Sequence, residues 1–423
     1  MGTAGIVCEY NPFHKGHEYQ IQQARQIAGI DHIVCFMSGN FLQRGIPAIT
    51  DKYTRTTMAL SCGADAVFEI PFVYATSSAH DYATAAISMM NSMGDSIDYI
   101  VFGAETDNLQ LLCYIADIIT HEPAQLSALI KANTASGISY GAARAKAVSD
   151  YIYSNSSEFY CCESLQDIPK SDLDNILSSP NNILAIEYIC ALNRTQSRIK
   201  PILIPRTAPN YNSTSCDNDI CSASAIREII SHNDISSLKR HIPSTAYDIL
   251  TLSNNKTFPV FEDSLTPFLN AGRILIPKQS EIVDMDKDLA NRFYKLKINM
   301  TYAETVAALK CRNYTLTHIQ RALLHQIFSL SKDEYQNFKN NGWISYIKLL
   351  GIKKESSSII AHIKEVSSVP IITKSTEIYS CKAPVISQMF SYDIKASLIY
   401  SNIVYSLYGY DLKNDFRQSI IVL

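Results

Sequence analysis

Two histidines, His14 and His17, bracket Gly16 within AGIVCEYNPFHKGHEYQ, the stretch over residues 4–20. An apolar run, Ala4–Cys8, stops at Glu9; Asn11-Pro12 then makes a turn that Pro12 stiffens, and an amphipathic stretch follows. The pair therefore sits at the mouth of a strand-to-helix turn. Ligands of doubly wound sheets bind beyond the carboxyl ends of the strands. There the first N–H groups of a helix and its positive dipole end favour an anion. Gly16 removes a side chain where a phosphate or a base must approach the backbone, and two imidazoles add donors for charge building on a phosphoryl group. This chemistry suits ATP, attacked at its α-phosphate with pyrophosphate leaving. A capped helix carrying two surface histidines is the alternative for an isolated HxGH; the strand and the Asn-Pro-Phe turn before it favour the chemical reading.

The elements that must hold this turn are legible around it. Ala4–Cys8, His32–Met37, Ala66–Ile70 and Tyr99–Phe102 read as buried strands, with helical stretches at His17–Ala28, Tyr53–Cys62 and Ser78–Asn91 between them. Strands and helices in this alternation imply βαβ units and a parallel sheet. Ile202–Pro205 supplies a further strand and Ser224–Ser231 a further helix. The expected fold is an α/β, doubly wound, Rossmann-like domain over residues 1–255, with a helical insertion at about 110–178. Its polar middle, around Tyr151–Ser179, reads as surface. Ser253–Thr257 is turn-like, and beyond it the strand signal thins, so 256–423 is expected to form a mainly helical domain.

Composition narrows the class. The 423 residues are 47% hydrophobic and 18% charged, with a formal net charge of −3. Such a chain buries a large core, and nucleic-acid binding would need a local patch. No stretch approaches the ~20 apolar residues of a membrane span, and Ala4–Cys8 is too short for a secretory signal. Eleven cysteines without CxxC spacing fit a reduced chain. The expectation is a cytoplasmic protein with no membrane association and no structural metal.

EYNPFHKGH resembles the signature of the HxGH nucleotidyltransferase superfamily. More narrowly, Met37–Ala79, FGAETD (Phe102–Asp107), SPNNILAIEY (Ser179–Tyr188), SASAIRE (Ser222–Glu228), KCRNYTLTHIQRALLH (Lys310–His325) and YIKLLG (Tyr346–Gly351) resemble, in order, blocks of the tRNA(Met) cytidine acetate ligases. The resemblance implies an enzyme that activates acetate with ATP as acetyl-adenylate and acetylates N4 of the wobble cytidine of elongator tRNA(Met). It implies ATP as cofactor and Mg²⁺ through the use of ATP, and it points to no protein partner. The family's ATP loop falls on Val7, Cys8, Glu9, Tyr10, Asn11, Pro12, Phe13, His14, Lys15, Gly16, His17, Glu18, Tyr19 and Gln20, with His14 and His17 as catalytic residues. Gly103, Asn182, Arg206, Ser224 and Arg227 match further ATP positions.

Each of these has a plainer alternative. Gly103 reads otherwise as a tight turn after a strand. Glu105 and Asp107 read as ribose or Mg²⁺ ligands, or as caps of the next helix. Asn182 reads as a helix cap and Arg227 as an exposed helical residue. Ser224 is expected at a helix N-cap, one turn before Arg227. GNFLQRG (Gly39–Gly45), followed by Lys52 and Arg55, reads as a flexible cationic lid or a connecting loop. One departure stands out: Thr207–Asn212 is TAPNYN where the family has a glycine- and histidine-containing turn.

From Asn291 to Lys354 there are 11 Lys plus Arg against 3 Asp plus Glu, with Tyr294, Tyr302, Tyr314, Trp343 and Tyr346 interleaved. Such a mixture suits phosphate contacts and stacking on unpaired bases, or equally a solvated helical face over core aromatics. Lys295, Lys297, Arg312 and Arg321 are the expected tRNA contacts. Two competing readings remain at this level: a small-molecule adenylyltransferase of the same superfamily, and an RNA-binding protein with a vestigial nucleotide site.

Overall fold

The computed structural model describes residues 2–27, 29–155, 168–206, 221–275 and 281–423. Eight strands form one sheet: β1 (Gly2–Cys8), β2 (Ile30–Ser38), β3 (Ala66–Ile70), β4 (Tyr99–Ala104), β5 (Lys200–Pro205), β6 (Ile347–Ile352), β7 (Ile371–Ile372) and β8 (Ile421–Val422). Their order is β5-β4-β1-β2-β3-β6-β7, with β8 also on β6. All pairings are parallel except β3 with β6. Chain order runs outward from β1 in both directions, so the sheet is doubly wound and its switch point lies between β1 and β4.

β1 to β5 appear where the sequence patterns put them. β6 does not; its six residues are buried throughout and carry no alternation, so within a helical region they are indistinguishable from a helix turn. Residues on both sides of position 255 thus share one sheet. Beyond 255 the chain is otherwise mainly helical, its longest helix being the 25-residue Pro384–Tyr408, and β8 follows that helix. The larger hydrophobic core runs from Val34 to Val404, packing the middle helices and the C-terminal ones onto one face. A second core, including Ile6, Phe13, Ile226 and Leu250, fills the other.

The loop Gly39–Gly45 is not a cationic lid. Phe41 and Leu42 are buried, and Lys52 and Arg55 beyond it are almost fully enclosed. Lys52 Nζ bonds Glu69 at 2.9 Å and Asp415 at 2.8 Å, and Lys348 Nζ bonds the same Asp415 at 2.6 Å. Buried charges persist only when so paired. Seven cysteines are free thiols among the described residues: Cys8, Cys35, Cys62, Cys113, Cys190, Cys311 and Cys381.

Candidate active site

The turn after β1 leads into the helix Lys15–Gln26, and the histidines build that helix's start. His14 is its N-cap, and its Nδ1 accepts the Gly16 N–H at 3.1 Å; His17 Nδ1 accepts the N–H of His14 at 3.3 Å. This is a capping box made of imidazoles in place of a hydroxyl and a carboxylate. The rings stack with centroids 3.7 Å apart at 24°. His17 also packs on Tyr10 (4.8 Å) and Phe13 (5.5 Å), which fixes its plane. Because each Nδ1 accepts, the neutral tautomer of each ring carries its proton on Nε2. Neither Nε2 has a partner among the described residues.

Both rings are held neutral. Burial, with the positive charge of Arg206 second, lowers the His14 pKa to about 3. Burial, then His14, then Arg206 push His17 well below its ordinary value. The site therefore offers two uncharged N–H donors on a helix N-terminus.

The flanking residues lock the turn. Asn11 Oδ1 accepts the Ile49 N–H at 2.7 Å, and the peptide bond to Pro12 is cis. Arg55, read from the sequence only as part of a cationic loop, bonds the carbonyls of Glu9 (2.6 Å), Ser38 (3.0 Å), Thr50 (3.2 Å) and Gly39. One buried guanidinium thus joins the carboxyl ends of β1 and β2. Within the expected ATP loop, Cys8, Tyr10, Pro12 and Phe13 face the core and brace the histidines. Val7, Glu9, Lys15, Gly16, Glu18, Tyr19 and Gln20 are half-buried around them.

Across the switch point, Arg206 continues the β5 ladder, its N–H bonding Ala104 O at 3.0 Å. A side chain at Gly103 would place its Cβ 3.3 Å from Arg206 Cγ, so this glycine makes room for the arginine stem. Arg206 Nη1 donates to Asn181 Oδ1 at 3.3 Å. Asn182 is buried, its Oδ1 accepting the N–H groups of Glu105 (2.9 Å) and Thr106 (3.2 Å), so it shapes the loop after β4. Glu105 does not cap the next helix; it accepts the N–H of Asn182 at 2.9 Å and the Asn181 amide at 2.6 Å. The next helix is capped by Asn108, whose Oδ1 accepts the Leu111 N–H at 2.9 Å, and Asp107 is exposed.

The helix Ala223–Ser231 brings the second arginine. Its N-cap is Ser222, whose hydroxyl accepts the Ala225 N–H at 3.2 Å; Ser224, the expected cap, lies inside the first turn. The cap must be extended, and Ser222 alone of the two is, at φ −71° and ψ 153°. Ser224 instead receives Arg227 Nη2 at 3.4 Å, while Nη1 reaches Asn11 O at 3.5 Å. The structure thus gathers His14, His17, Gly103, Arg206, Ser224 and Arg227 around the carboxyl ends of β1, β4 and β5. The TAPNYN segment lies outside the described residues, as does the part of the polar stretch from 156 to 167.

The RNA candidates divide. Lys295, Lys297 and Arg312 are exposed, but Arg321 is buried and bonds Asp284 at 2.9 Å. Lys348, counted in the same basic stretch, is inside the sheet's charge cluster. Tyr302 and Tyr346 are fully buried, so they are core residues. Sequence composition could not separate these from surface positions, because their partners, Asp284 and Asp415, are remote or outside the stretch.

A family model of HIGH nucleotidyl transferases matches residues 1–415. The tRNA(Met) cytidine acetate ligase of Acetivibrio thermocellus is 34% identical over 436 residues, covering 100% of both chains. That of Clostridium novyi is 35% identical over 428 residues, again covering 100% of both. Thermotoga maritima TmcAL bound with α-thio ATP superposes with a TM-score of 0.88 at 26% identity over 100% of both chains, and its apo form with 0.89 at 27%.

Proposed function

Because the chain belongs to the HIGH nucleotidyl transferase family, among the tRNA(Met) cytidine acetate ligases, we propose that it acetylates N4 of the wobble cytidine of elongator tRNA(Met) with ATP and acetate. An acetate oxygen attacks the α-phosphorus, the bond to the bridging oxygen of the β-phosphate breaks, and pyrophosphate leaves. The cytidine amine then attacks the acetyl carbonyl, loses a proton, and expels AMP. The observation that carries this reading is the pair of neutral, stacked histidines whose Nε2–H groups are left to donate at a helix N-terminus.

In this reading His14 and His17 donate to the phosphate oxygens as negative charge shifts toward the leaving group. They cannot lose effect by titration near neutrality. Arg206 and Arg227, with Ser224, bind the phosphates from the two sides of the turn, since a guanidinium fork matches their oxygens. Placement and electrostatics supply most of the acceleration. No group of three or more metal-ligating side chains exists among the described residues, and Glu105 is taken up by N–H donors. Mg²⁺ would therefore enter with the ATP phosphates, neutralising their charge.

The tRNA would lie on 256–423, with Lys295, Lys297 and Arg312 contacting its backbone. The test follows radiolabelled acetate into purified tRNA with ATP, for the wild type and His17→Ala. ATP-dependent label on a cytidine, lost in the variant, is expected. Pyrophosphate release with other small substrates, and no label in tRNA, would replace this reading with a small-molecule adenylyltransferase.

A further inference from the structure

The helix Pro180–Arg194 begins without a side-chain cap of its own: Ser179 is its N-cap residue and makes no capping bond, and Pro180 has no N–H to offer. The missing acceptor comes from the loop after β4. Glu105 Oε2 accepts the Asn182 N–H at 2.9 Å, and Oε1 accepts the Asn181 N–H at 3.3 Å. A carboxylate here also complements the positive end of the helix dipole. In return Asn182 Oδ1 accepts the backbone N–H groups of Glu105 and Thr106. The two segments, more than seventy residues apart in sequence, clasp one another.

The same carboxylate does something a cap does not require. Oε1 also takes the Asn181 side-chain amide, Nδ2 to Oε1 at 2.6 Å. That bond fixes which way the amide faces: its nitrogen toward Glu105, its oxygen toward Arg206, whose Nη1 lies 3.3 Å away. A reversed amide would set an NH₂ group against a guanidinium and a carbonyl against a carboxylate. Gly103 completes the arrangement by leaving space for the arginine stem.

We propose that Glu105 is a positioning residue for nucleotide binding, acting through the Asn181 amide to hold the Arg206 guanidinium beside the paired histidines. The inference rests on the proposed phosphate role of Arg206. In this inference Glu105 acts through Asn181 and Arg206 and not by contact with the nucleotide.

The test is a double-mutant cycle on ATP affinity, measured by calorimetry on the full chain without acetate. Glu105→Gln is isosteric but replaces one acceptor with an NH₂ group and removes the charge. It should weaken ATP binding about tenfold in the wild-type background and by less than about twofold when Arg206 is already alanine, because coupled residues are not additive. Asn181→Ala removes only the link and keeps the Glu105 bond to the Asn182 N–H. It should reproduce the loss of affinity even if Glu105→Gln fails to fold. Equal losses from Glu105→Gln in both backgrounds, or undiminished affinity in Asn181→Ala, would overturn the relay alone. An Arg206→Ala protein that binds ATP like the wild type would overturn the phosphate role of Arg206, and the relay with it.

Discussion

The rings of His14 and His17 lie 3.7 Å apart, stacked, and each Nδ1 accepts a backbone N–H from the start of the same helix. Capping therefore occupies Nδ1 of each ring and leaves Nε2 for the phosphate contacts proposed. Asparagine places an oxygen near Nδ1 and nothing at Nε2. His17→Asn should keep the helix start, holding Tm within about 3 °C of the wild type. Pyrophosphate formation should fall by about 10²–10³-fold, as for loss of one preorganised donor. Parallel thermal melts and pyrophosphate assays decide; a large drop in Tm would assign His17 to the fold instead.

Buried neutral histidines leave a mark on stability. With the folded pKa of His14 lowered to about 3, the unfolded chain takes up a proton below about pH 6.5 while the folded one does not. Stability from this group is thus intact above about pH 6.5 and falls toward pH 3, by about 1.4 kcal/mol per pH unit. Chemical denaturation of wild type and His14→Gln across that window should show the wild type losing its advantage as pH drops. A pH-independent difference would refute the neutral, buried imidazole.

Asp393 works in the other direction. Burial, then the nearby Glu69, raise its pKa to about 7, although it accepts from Tyr346 at 2.5 Å and from the Phe72 N–H at 2.8 Å. A raised carboxyl contributes most below its unfolded pKa, and that contribution is lost as pH rises toward 7. Asp393→Asn keeps an acceptor for Phe72 without titrating. Its stability relative to wild type should improve between about pH 4 and pH 7, read from denaturant midpoints. A difference that stays constant over that range would show that Asp393 is already ionised in the native state.

Arg321 and the exposed cations should separate cleanly. Arg321→Ala leaves the largely buried Asp284 short of its guanidinium and should cost about 3–5 kcal/mol of stability. Lys295→Ala, Lys297→Ala and Arg312→Ala should leave Tm unchanged while weakening tRNA binding. Each should reduce the slope of log affinity against log salt by about 1. Filter binding over a salt series measures this; unchanged slopes in all three would move the RNA surface elsewhere.

Much of this protein follows from local sequence. β1 to β5, the helices between them and the HxGH turn are set by apolar runs, alternation with amphipathic stretches and a stiff Asn-Pro turn, all of which act within a dozen residues. The placement of the histidines was legible for the same reason, since the strand end and the helix start that bracket them are both local features. Local pattern misplaced the second cap, choosing Ser224 over Ser222, because two serines in one turn differ only in backbone angle.

Tertiary structure alone decided what the charged residues do. Lys52 reads as part of a cationic surface until Asp415, 363 positions later, folds beneath it. Arg321, Lys348 and Arg55 are drawn inside by Asp284, by Asp415 with Glu69, and by four backbone carbonyls. β6 is a strand because β3 offers it an edge, and Glu105 caps a helix more than seventy residues onward. A buried charge or an uncapped N–H is tolerable only with its partner in place. Which partner arrives is fixed by the packing of distant segments, and no spacing in the sequence carries that information.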